Sequence, residues 1–156
     1  LLGKKVMLFD ADLGLANIDV MLGLKVDKNL GHVLNGECEL EDILQTGPHG
    51  LRIVPASSGL KQMVELSGEQ HAGLIRAFST LKEDIDFFIV DTAAGISDMV
   101  LSFCRAAQDI LMVVCNEPTS VADAYAQMKV LSRDYGVNKF KIIGNQLHSL
   151  DEGKIK

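Results

Sequence analysis

Five short apolar runs rich in Val, Ile, Leu and Phe occur along the chain, at Val6 to Phe9, Leu51 to Val54, Phe87 to Val90, Ile110 to Val114 and Phe140 to Ile143. Each has the length and near-continuous hydrophobicity of a strand covered on both faces. Helical patterns lie between several of them. Ser67 stands as a cap with Gln70 three residues on, and Leu74, Ile75, Phe78 and Leu81 follow at helical spacing. Ser97 to Ala107 and Thr119 to Tyr135 read similarly, the second with Ala122, Ala126, Val130 and Leu131 on its expected inner face. Asn17 to Gln45 reads as short helices and turns punctuated by Gly23, Gly31 and Gly36, with Gly47 just beyond. Strands alternating with helices imply right-handed crossovers and an α/β fold, a parallel sheet with helices on both sides.

Composition adds bounds. At 156 residues and 47% hydrophobic content the chain fits one domain, residues 1–156, with a sizeable core. No repeat, low-complexity tract or linker divides it. A formal net charge of −6 without a long basic run gives no electrostatic hold on bare nucleic acid or an anionic membrane. Cys38, Cys104 and Cys115 form an odd, scattered set without a CxxC pair, which reads as buried or half-buried thiols in a reducing compartment. No stretch approaches the roughly 20 apolar residues of a membrane span, and a cytosolic protein is expected. His32, His49, His71 and His148 lack metal-ligand spacing, and there is no Gly-x-Ser-x-Gly elbow.

Chemistry gathers where the strands end. The first run continues into "VMLFDADLGLANIDV", which sets Asp10, Asp12 and Asp19 behind an apolar strand. Carboxylates repel one another and gain nothing from a core, so a cation or polyphosphate beyond the strand end would account for them. Pro55 to Gly59 follow the second run, "DTAAG" (Asp91 to Gly95) the third and "NEPTS" (Asn116 to Ser120) the fourth, while Asn145 ends the fifth. Ligands of open parallel sheets sit beyond those carboxyl ends. An apolar strand ending in Asp and then small residues is also how P-loop nucleotidases hold Mg2+, with the backbone of Thr92 to Gly95 kept close to a γ-phosphate. The plainer alternatives are an Asp-capped helix after the third run and an Asx-turn at Asp12. With ATP as ligand, Asp12 orients the attacking water, Asp10 lies nearer Mg2+, and Asn145 offers the donor and acceptor that an adenine edge demands.

Together, "VMLFDADLGLANIDVMLGL", "RIVPASSG", "FFIVDTAAGI" and "NEPTSVADAYAQMKVL" resemble the MinD/ParA group of deviant Walker A ATPases. Within that group they are most similar to the flagellar-number regulators of the FlhG/FleN type, from Gly3 to Gly153. The resemblance implies a three-layer, mostly parallel sheet of the P-loop NTPase type and makes Asp12 the hydrolytic-water residue with Asp10 its switch partner. It implies that Asp91 is the Walker B carboxylate, with Thr92 and Gly95 in the switch loop beside it. Asn145 resembles the adenine-recognising Asn, and Asp123 and Glu117 resemble carboxylates near the dimer face. ATP with Mg2+, an ATP-dependent homodimer and hydrolysis-driven release are implied too. So is a flagellar transcription regulator or flagellar GTPase as partner, with membrane contact only through a C-terminal helix that the chain lacks. The family's KGGxGKT loop precedes the first strand seen here, and "LGKK" is no substitute. The chain therefore reads as a fragment without its first strand and P-loop helix, with exposed strand edges and little or no ATPase activity of its own. A septum-site MinD and a non-hydrolysing docking module are the competing readings.

Overall fold

The computed structural model describes residues 2–12, 18–24, 26–55, 68–147 and 149, with backbone alone at positions 19, 20 and 71. The chain divides into two compact units, Leu1–Ala93 and Ala94–Lys156.

The first unit opens with β1 (Val6–Asp10), then two short helices, α1 (Ile18–Met21) and α2 (Leu30–Leu34). A 3-10 turn (Leu40–Ile43), β2 (Gln45–Thr46), a second 3-10 turn (Pro48–Gly50) and β3 (Arg52–Val54) follow; α3 (Gly68–Thr80) and β4 (Phe87–Asp91) complete it. The sheet order is β2-β3-β1-β4, with β1 parallel to β3 and to β4 and β2 antiparallel to β3.

Side-chain alternation on β1 decides how this sheet sits. Met7 and Phe9 point to the face covered by α3 and lose all solvent contact, while Asp10 points the other way. Phe78 of α3 lies 5.1 Å from the Phe9 ring and 4.7 Å from that of Phe88, so three aromatic rings bind helix to sheet. At the amino ends of the strands Asp86 pins the register. Its Oδ2 accepts the Lys5 N–H at 2.9 Å, its own N–H donates to the Lys5 carbonyl at 2.9 Å, and Lys4 Nζ reaches its Oδ1 at 3.1 Å. The Lys5 ammonium pairs with Asp84. The turns between strands are capped locally: Asn29 Oδ1 accepts from the Gly31 N–H at 3.0 Å, and the Asn29 N–H donates to His32 Nδ1 at 3.1 Å, starting α2.

The second unit contains α4 (Asp98–Ala106), β5 (Leu111–Cys115), α5 (Pro118–Tyr135) and β6 (Lys141–Asn145), with β5 parallel to β6. Ser97 caps α4 by accepting the Val100 N–H. Val100, Leu101 and Cys104 of α4 close on Leu131 of α5, with Ile110, Val130, Val137 and Phe140 around them. Cys104 is buried and Cys38 and Cys115 are half-buried, as expected of plain thiols. No helix among the described residues is long and apolar enough to cross a membrane.

All five expected strands form, within one or two residues of their predicted bounds, in an α/β arrangement that is parallel except for β2. Two expectations change. The runs at β4, β5 and β6 were expected to be covered on both faces, yet Phe87 is 56% and Val113 59% exposed. Among the described residues β4 pairs on one side only and β6 pairs only with β5, so neither is flanked as a central strand is. The inner face of α5 is also rotated: Ala124, Gln127 and Leu131 are buried, Val130 is half-buried, and Ala122 and Ala126 are exposed. Gln127 belongs to the observed inner face, its Nε2 3.6 Å from the Cys104 Sγ, so a polar position is accommodated there. Leu131→Ala is therefore expected to destabilise the chain by about 2–5 kcal/mol. Ala126→Ser should stay within about 0.5 kcal/mol of the parent, and urea unfolding of the two variants checks both.

Candidate functional site

β1 and β4 run parallel with Asp10 opposite Asp91, so two carboxylates finish neighbouring strands at one register and on one face. They differ in surroundings. Asp10 is 6% exposed, one of two polar or charged side chains buried among the described residues, whereas Asp91 reaches solvent. Beyond β1 the chain is held by its own backbone. The Ala11 N–H donates to the Asp91 carbonyl at 2.7 Å, the Asp12 N–H to Asp10 Oδ1 at 3.1 Å, and the Ile18 N–H to Asp10 Oδ2 at 3.4 Å. These ties bring Asp10, Asp12 and Asp91 into one electrostatic neighbourhood. The Asp91 carboxyl is pushed above its ordinary range, first by partial burial and then by the negative charges of Asp10 and Asp12. Thr92 follows directly, half-buried.

The remaining predicted positions belong to the second unit. Gly95 has φ 107°, a backbone conformation open to glycine and strained for other residues. Glu117 occupies the cap position of α5 and makes no side-chain cap hydrogen bond; Pro118 opens the helix, and the Cys115 N–H donates to Ser120 Oγ at 3.0 Å, folding "NEPTS" back on the strand end. Asp123 lies exposed on α5. Asn145 ends β6 opposite Cys115 and is exposed. Behind it the chain turns sharply at Gln146, φ 55°, and Leu147 folds over Gly144, where an added Cβ would stand 2.6 Å from Leu147 Cδ1. Glycine is what allows that approach. The Asp19 side chain and residues 56–59 lie outside the described residues.

Sequence reasoning missed two contributors, the amides of Ala11 and Ile18. They carry no side-chain signal. Their only trace is that a carboxylate pair stands a few residues ahead of a helix start.

The charge crowding has a consequence for stability. Folding raises the Asp91 pKa, so the folded chain holds that proton more tightly than the unfolded one. The associated stabilisation is complete below the ordinary carboxylate range and disappears as pH rises through the raised value. Asp91→Asn, which removes the charge, should give a higher urea midpoint than the parent at neutral pH. The advantage should shrink as pH falls through the carboxylate range, and paired denaturation curves at the two extremes measure it.

No family model matches the chain. It is 58% identical over 153 residues, 98% of its length, to the antiactivator FleN of Pseudomonas aeruginosa, covering 55% of that protein. It is 34% identical over 152 residues to the flagellum site-determining protein YlxH of Helicobacter pylori, covering 97% of this chain and 51% of that one. The chain thus spans about half the length of these curated relatives. Among solved structures, the septum site-determining protein MinD of Pyrococcus horikoshii, complexed with Mg-ADP, superimposes with a TM-score of 0.71 at 25% identity, covering 90% of this chain and 56% of that one. With a mostly parallel α/β fold, the DxD and strand-plus-"DTAAG" strings and a 58% identical relative along nearly all of its length, this chain belongs to the MinD/ParA family, on its FlhG/FleN-like side.

Proposed function

We propose that the chain forms the hydrolytic half of a MinD-like regulatory ATPase that acts on flagellar number and placement. In this reading ATP binding drives homodimerisation, and hydrolysis releases the dimer from a transcription regulator or GTPase of the flagellar system. The observation that carries it is the like-charged cluster of Asp10, Asp12 and Asp91 at the carboxyl ends of β1 and β4. A cluster held together against its own repulsion fits a site that takes up positive charge.

The donor set fits Mg2+ in particular. Among the described residues no three His, Cys, Asp or Glu side chains converge into a metal cage. Mg2+ keeps most of its waters and takes one or two carboxylates alongside substrate phosphates, so a cage is not what it needs. Asp91, the exposed member, would hold it. When bound, Mg2+ would offset the charge that develops on the phosphate oxygens.

In this reading Asp12 orients the attacking water, a task that calls for placement more than basicity. Thr92 and Gly95 supply small residues, and Gly95 a glycine backbone, after the strand-end Asp, which keeps the main chain free to approach a terminal phosphate. Asn145 would read the adenine edge, with Glu117 and Asp123 toward the dimer face. The relative named antiactivator and the flagellum site-determining relative support the flagellar side of the reading over the septum-site one.

The test uses a chain of the relatives' full length. Calorimetry should show ATP binding that requires Mg2+ and weakens about tenfold or more in Asp91→Asn. Asp12→Ala should lower ATP turnover about a hundredfold while leaving binding close to the parent. ATP affinity indifferent to both Mg2+ and Asp91→Asn would overturn the proposal in favour of a docking module.

A further inference from the structure

The geometry points to Asp10 as a positioning residue for Asp12, acting through captured backbone amides and not through the metal. This rests on the proposed role of Asp12 and adds how that role is set up. The Asp10 carboxylate lies buried at 6% exposure, and its two oxygens serve two donors from opposite ends of the segment that follows β1. Oδ1 takes the Asp12 N–H and Oδ2 takes the Ile18 N–H, the first amide of α1. One side chain thereby fixes both the start of that segment, where Asp12 stands, and its end, where the helix begins.

The Ala11 N–H, bound to the Asp91 carbonyl, supplies the intervening tie. Successive amides are thus directed alternately, one to β4 and the next back to Asp10. The Asp12 backbone is consequently fixed by atoms of β1 and β4, the strands that carry the other two carboxylates.

Residue chemistry explains why this position holds Asp despite its like-charged neighbours. A carboxylate is acceptor-only on both oxygens, so it can receive an N–H at each. Asparagine has the same shape but presents an NH2 in place of one oxygen, and that group would face a donor. Hydrogen bonds to a charged acceptor are also the stronger kind, which offsets part of the repulsion from Asp91 and Asp12.

Hydrogen exchange by NMR on this 156-residue chain tests the capture directly. In the unmodified chain the Asp12 and Ile18 amides should exchange about tenfold or more below free-peptide rates. Asp10→Asn should speed at least one of them about tenfold, with the Leu8 amide of β1 unaffected as a control on folding. In the full-length protein the same variant should lower kcat about tenfold or more with KM for Mg-ATP nearly unchanged, whereas Asp91→Asn raises KM. Free-peptide exchange at both amides in the unmodified chain would overturn the inference, as would Asp10→Asn weakening Mg-ATP binding as much as Asp91→Asn. Absence of any ATP turnover would sink the proposed ATPase instead, and the amide rates would still decide whether Asp10 holds the segment.

Discussion

Parallel pairing of β1 with β4 governs everything at the candidate site, because it brings Asp10 level with Asp91 on one face. That register is not free to relax. Sliding β1 by one residue would turn Met7 and Phe9 away from α3 and bring Asp10 toward the core. Burial of a side chain such as Met or Phe contributes about 1.5–3 kcal/mol, and a slip forfeits both at once. Repulsion between carboxylates of which one is open to water is softened by solvent and salt. The core therefore wins, and the charge crowding is its consequence.

Backbone amides moderate that crowding: the Asp12 and Ile18 N–H groups both donate to Asp10. The lysines nearest in sequence, Lys4 and Lys5, are engaged at the other end of the strands with Asp84 and Asp86. Along a five-residue strand rising about 3.3 Å per residue that end lies about 16 Å away. A Debye length of about 8 Å at physiological salt leaves little of their field at Asp10. The amides of Asp12 and Ile18 are in direct contact and cannot be screened out in that way. Neutral amides leave the negative charge of the three carboxylates in place, as the proposed uptake of a cation requires.

The strand positions were legible because an apolar run of four or five residues bounded by turn signals has few other uses, and the carboxylates stood out because they follow such a run at once. Coverage was not legible. Phe87, Ile89, Leu111 and Val113 make their runs as hydrophobic as a central strand, yet each is at least half exposed. Whether such a run is flanked depends on neighbours that the run does not encode. β2 escaped notice for the opposite reason: Gln45 and Thr46 carry no apolar signal, and they pair with Ile53 and Arg52 through the backbone ladder and a hydrogen bond from Arg52 Nη1 to Thr46 Oγ1 at 2.7 Å. The Ile18 amide escaped for the same reason, since a main-chain donor looks alike at every position.

Helix α5 carries a polar contact inside its buried stripe and a candidate site residue on its exposed side. Alanine is nearly indifferent to burial, so a stripe containing Ala122 and Ala126 constrains the helical phase poorly, and Leu131 is compatible with either choice. Gln127 lies in the buried stripe with its amide against the Cys104 thiol, and Ala124 is buried one turn before it. Val121 and Tyr125 then face outward, the latter with the Lys129 ammonium 5.8 Å from its ring centroid. Asp123 stands exposed beside Ala124 as part of the same phase.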